Sequence, residues 1–193
     1  MFFRKAALRP VPGWAVVNEH ALDSLELGLE EGSESLQNIL DKGYRDLDRR
    51  QPSVGLWLAE EVSKIEDELV QSLGYFLVVA VYLAFREAFP RRLHEVDQEG
   101  LRLAEDTLDA DIELRAQDPL EVLDTDDVVR LAQPALLRFI QHHMQEAVEQ
   151  STEDVDLDEL DRLYHTILVE VVALSHAVAS PTGEVGPPRE ALA

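Results

Sequence analysis

Residues Leu73–Phe85, LGYFLVVAVYLAF, form the longest apolar run in the chain, and their reading decides the fold. A membrane-spanning helix needs roughly 20 apolar residues, whereas this run has 13. Glu66, Asp67 and Glu68 stand just before it, and Arg86 and Glu87 just after. The segment therefore reads as a helix that is apolar nearly all round and is covered by other helices rather than by lipid. The fold class that follows is all-α: a helical bundle of about six helices around a hydrophobic central helix.

The flanking sequence repeats its apolar residues at helical spacing. Residues 1–17 contain Pro10, Pro12 and Gly13 and read as an irregular lead-in. Asn18 is a good N-cap for a helix carrying Leu22, Leu25 and Leu29, which Gly32 ends. Ser33 starts a second helix, with Leu36, Ile39, Leu40, Gly43, Tyr44 and Leu47 on one face, and Gln51-Pro52 stops it. From Pro52 to Phe89 nothing forces a break, so the spacing predicts one long helix bent near Gly74. Residues 91–116 read as a helix with Leu93, Val96, Leu101, Ala104, Leu108 and Ile112 inward, followed by a loop over 117–125. Thr125 opens a helix to Gln150 that Pro134 should kink. Asp156 with Glu159 resembles a capping box for a last helix reaching Ala179. The expected organisation is a lead-in over 1–17, a bundle over 18–180 and a disordered Pro/Gly-rich tail over 181–193. No strand-like alternation and no internal repeat is visible.

Composition narrows the function. With 193 residues and 46% hydrophobic content, the chain suits one globular domain. It has no cysteine, which excludes disulfides, zinc-thiolate sites and thiol nucleophiles. The N-terminal residues lack an apolar signal-peptide core, and a cytoplasmic protein is expected. There are 39 acidic against 17 basic residues, a net charge of −22. Such a surface repels phosphate backbones and anionic lipid, so nucleic acid and membrane are not expected partners, while a basic protein is drawn toward it. A homodimer through the apolar segment stays open.

Four groups of residues bear on chemistry. Arg138-Phe-Ile-Gln-His-His143 resembles the motif of HEPN-type ribonucleases, which are small helical bundles. The resemblance implies Arg138 holding a phosphate and His143 exchanging a proton during RNA cleavage. The chain departs from the pattern at Phe139, where that family often has a small polar residue. His142 and Glu146 share a helix face and, with His143, form a candidate metal set to which His165 and Glu170 add. The Glu-x-x-His of di-iron bundles is missing from the chain, and no metal or cofactor is expected. The run Asp154-Val-Asp-Leu-Asp158-Glu-Leu-Asp161 resembles the start of a calcium loop but has Glu159 where that loop needs glycine. Between Glu146 and Asp161 lie eight acids and no base: Glu146, Glu149, Glu153, Asp154, Asp156, Asp158, Glu159 and Asp161. Glu105, Asp106, Asp109, Asp111 and Glu113 form a second cluster. Acids without intervening bases repel one another, and a basic partner docking there relieves the repulsion.

No phosphate-binding glycine loop, Gly-x-Ser-x-Gly or His-Glu-x-x-His occurs. The expected function is an acidic helical interaction module (adaptor, immunity protein or chaperone) for a basic partner. The alternatives are a HEPN-like ribonuclease using Arg138 and His143, and a mimic of the DNA phosphate array that inhibits a DNA-binding protein.

Overall fold

A computed structural model describes residues 11–31, 36–117, 132–152 and 154–181. They form seven packed helices: α1 (Glu19–Glu31), α2 (Leu36–Arg50), α3 (Pro52–Ser63), α4 (Glu68–Ala88), α5 (Gln98–Gln117), α6 (Pro134–Gln150) and α7 (Leu157–Ala177). Among the described residues there is no strand, only an isolated antiparallel bridge between Leu93 and Val178. The expected tail beyond Pro181, the 117–125 loop beyond Gln117, and Thr125 lie outside the described residues.

The boundaries differ from the sequence expectation at three places, each for a local reason. The long helix from Pro52 does not bend at Gly74; it breaks at Lys64–Asp67. Asp67 turns its carboxylate onto the N–H groups of Leu69 and Val70 and caps a new helix. Gly74 stays helical and serves close packing, since a Cβ there would stand 3.1 Å from Leu163 and 3.2 Å from Val62. The helix expected from residue 91 begins only at Gln98, after the Asp97 side chain has accepted the Gly100 N–H at 2.7 Å. Pro134 does not kink a helix but opens one, where its missing N–H costs nothing.

The core is formed above all by α4 and α7. Leu77 to Tyr82 and Ala84 to Phe85 of α4, and Thr166 to Ser175 of α7, are all buried. Most of the apolar run is covered by protein, with Tyr75 exposed: α4 is long and apolar enough to cross a membrane by length and composition, but it packs on α1, α2, α3, α6 and α7. At the α2–α4 contact a Cβ on Gly43 would stand 2.6 Å from Val79, so glycine there sets how closely the helices approach. The same contact holds a polar node. The hydroxyl of buried Tyr82 donates to Asp46 Oδ2 at 2.8 Å, and Arg49, Arg50 and Arg86 also donate to this carboxylate. Burial alone would raise the Asp46 pKa, but these donors outweigh it and hold the carboxyl well below its ordinary range.

Sequence inspection finds no repeat, yet the described residues outside α2 follow the same plan twice. An extended lead-in ending in a capping residue (Asn18 or Asp97) enters a helix, α1 or α5. A buried Gln-Pro corner then opens α3 or α6. Last comes a helix of 21 residues capped by aspartate, α4 behind Asp67 and α7 behind Asp156. The packing follows the same exchange: α3 lies on α7 as α6 lies on α4, and α1 lies on α6 as α5 lies on α3. Among the described residues the two halves thus share an order of elements and these reciprocal contacts. The stretch 11–17, expected to be a mere lead-in, is part of the core, with Ala15 and Val17 fully buried.

Candidate functional site

The acidic residues singled out in the sequence divide into two kinds. Asp156 and Glu159 are used by the fold. Asp156 Oδ1 accepts the N–H groups of Asp158 and Glu159 and caps α7. The capping box is not closed within α7, however. Glu159 reaches across to accept the N–H groups of Glu66 and Asp67, at 3.0 and 2.7 Å, in the connection ahead of α4. In return, Asp67 Oδ2 accepts the Asp156 N–H. The positive ends of α4 and α7 meet here, and the three carboxylates satisfy the backbone donors of both. The backbone donors, that of Asp156 first, hold the Asp67 carboxyl below its usual range. With Asp156 serving as a helix cap, the calcium-loop resemblance finds no loop to support it.

The other acids are exposed. Asp154, Asp158 and Asp161 face solvent, Glu149 accepts from Gln145, and Glu146 accepts from Gln150; Glu153 lies outside the described residues. The second cluster joins this surface. Asp109 of α5 stands 3.3 Å from His165 of α7, one turn after Asp161. Lys64, at the end of α3, bonds Glu61 and lies within the field of Glu60 and Glu105. Asp106 is paired with Arg102 at 3.1 Å, and the side chains of Asp111 and Glu113 lie outside the described residues.

Arg138 and His143 lie about 140° apart around α6, as five helical steps of about 100° require. Arg138 is exposed and paired with Glu19 of α1 at 2.8 Å. His143 points elsewhere, between Phe76 and Phe139, with ring centroids 5.0 and 4.4 Å away in edge-on contact. Its Nε2 is buried without a hydrogen-bond partner. Burial, reinforced by the neighbouring His142, pushes the imidazole pKa down. His142 and His143 approach the Glu146 carboxylate only at 4.0 and 3.9 Å. Glu170 lies fully buried on α7 with neither carboxylate oxygen hydrogen-bonded, and burial raises its pKa well above the ordinary value. Among the described residues no three His, Asp or Glu side chains are placed to share a metal ion.

One cavity is not foreshadowed by the sequence. It lies between the start of α5 and the end of α7 and has a volume of about 400 Å³. Val96, Ala104, Val172 and Ala173 give it apolar walls, and His94, Glu95, Asp97 and His176 give it an ionisable rim. Comparison with known proteins leaves the reading to this geometry: no family model, no curated protein and no solved structure matches the chain.

Proposed function

We propose that this chain is a protein-binding module whose acidic face takes a basic protein partner, in the manner of an adaptor, immunity protein or chaperone. The observation that carries the reading is the convergence of carboxylates from three helices. Exposed Glu60 and half-buried Glu61 at the end of α3, half-buried Glu105 and exposed Asp109 on α5, and exposed Asp161 on α7 adjoin through the Lys64 and His165 contacts. No Lys or Arg occurs between Arg138 and Arg162, and Lys64 already bonds Glu61. A surface with this charge imbalance accelerates encounter with a cationic protein and gains from the neutralisation.

The test uses the full chain and poly-L-lysine as the basic probe. The triple variant Glu60→Gln, Asp109→Asn, Asp161→Asn removes exposed acids of the face. A control triple, Asp23→Asn, Asp41→Asn, Glu87→Gln, removes three exposed acids elsewhere. Affinity should fall with rising salt, and the first triple should weaken it several-fold more than the control. Equal losses for the two triples, or binding insensitive to salt, would contradict the reading.

A further inference from the structure

The cavity at α5 and α7 sits where matching positions of the two halves carry different side chains. Ala104 stands where the first half has Leu25, Val172 where it has Leu83, and Val178 where it has Phe89. Each of these replacements removes side-chain volume, and all three positions line the cavity. In the first half the matching Leu83 packs toward α2, coming within 3.2 Å of a Cβ placed on Gly43. The rim differs in chemistry as well. Ala15 and Val16 of the first half correspond to His94 and Glu95, and Asn18 to Asp97. Two carboxylates, Glu95 and Asp97, thus stand at the mouth of the cavity beside His94 and His176.

We propose that this cavity is a pocket for one lysine or arginine side chain, together with the apolar residue beside it, presented by a basic protein partner. The proposal rests on the reading of the acidic face given above and adds to it a specific anchor point. The chemistry fits a long amphipathic side chain, whose methylene stem follows apolar walls while its cationic head stays hydrated. Ala104, Val172 and Ala173 supply the walls, and the exposed carboxylates of Glu95 and Asp97 meet the head. Asp97 uses Oδ1 to cap α5, which fixes the carboxylate at the rim. The volume lies toward the lower end of the roughly 300–1,000 Å³ usual for ligand sites, which suits side chains rather than a whole domain element. The Trp14 indole N–H donates to the carbonyl of wall residue Val178 at 3.0 Å.

The experiment titrates the full chain with the peptide acetyl-Leu-Lys-Leu-amide and with its norleucine analogue, following amide signals of Gly100 and Ala104 and the Trp14 indole N–H by NMR. The lysine peptide should shift these signals saturably, and the norleucine peptide should bind several-fold more weakly. The variant Ala104→Leu, Val172→Leu returns two wall positions to the size used in the first half. It should lose about tenfold or more in affinity, the worth of one packed anchor. Glu95→Gln, at an exposed position that does not bear on folding, should weaken the lysine peptide and leave the norleucine peptide unchanged. Equal binding of the two peptides, equal binding to the refilled variant, or no saturable shift overturns the proposal. Poly-L-lysine titrated into the same samples separates the two levels: if it binds while the pocket peptide does not, the pocket falls and the acidic-face reading stands; if neither binds, both fall.

Discussion

Gln51 and Gln133 hold the same backbone conformation, φ −134°, ψ 57° and φ −131°, ψ 58°, and each gives its side-chain amide to the lead-in of the opposite half. Gln51 donates to the His94 carbonyl and accepts the Val96 N–H, both at 2.7 Å. Gln133 donates to the Ala15 carbonyl at 2.6 Å and accepts the Val17 N–H at 2.9 Å, with a further bond to Ser175 Oγ. In both cases one amide reads a carbonyl and the N–H two residues later, as a neighbouring strand would. Each corner is nearly or wholly shielded from water, so losing the amide strands backbone groups that water does not reach. Gln51→Ala and Gln133→Ala are each expected to cost about 2–3 kcal/mol of stability, measured by urea unfolding. A cost below about 0.5 kcal/mol for either, the size of an ordinary surface change, would show that the corner does not hold the halves together.

Glu159 and Asp161 look alike in the sequence and differ in the fold. The first accepts two backbone N–H groups from the connection ahead of α4, and the second faces solvent. Glu159→Ala should therefore destabilise by about 1–2 kcal/mol, and Asp161→Ala should stay within about 0.5 kcal/mol of the parent. Equal effects in chemical denaturation would mean that the cross-helix contact contributes nothing.

Glu170 predicts a pH dependence of definite sign. Burial raises its pKa in the folded state above that of the unfolded chain, so the folded state binds the proton more tightly. Its stabilising contribution is complete below the unfolded value of about 4.3 and is lost as pH rises toward the folded value, at up to about 1.4 kcal/mol per pH unit. Glu170→Val, which copies the matching Val81 of the first half, should be more stable at pH 8 than the parent, with the gap narrowing toward pH 4. Parallel stability curves across that range would show that Glu170 is not carrying a buried proton.

The all-α class and most of the core were legible because Leu73–Phe85 and the flanking stripes encode burial directly. Helix starts were harder, since they depend on which polar side chain wins the first free N–H groups. Asp67 and Asp97 each compete with a helix that periodicity alone would have continued. The doubling of the chain was hidden because the halves share hydrogen-bonding duties and buried positions, not residues: Val81 answers to Glu170, Tyr82 to Val171 and Leu25 to Ala104. Two Gln-Pro pairs were its one visible trace. For the acidic face, residue type was readable, but the division of labour within it was not, because Glu159 bonds a segment far away in sequence. The pocket could not be read at all, being defined by atoms that are missing relative to a counterpart.

The reciprocal grip of the two glutamine corners has a consequence for how the molecule comes apart. Neither half carries its own clasp: the catch that secures the opening stretch of one lies in the middle of the other. A cut or a loosened turn in either half therefore releases a buckle on its neighbour, and the pair is bound to melt as one body.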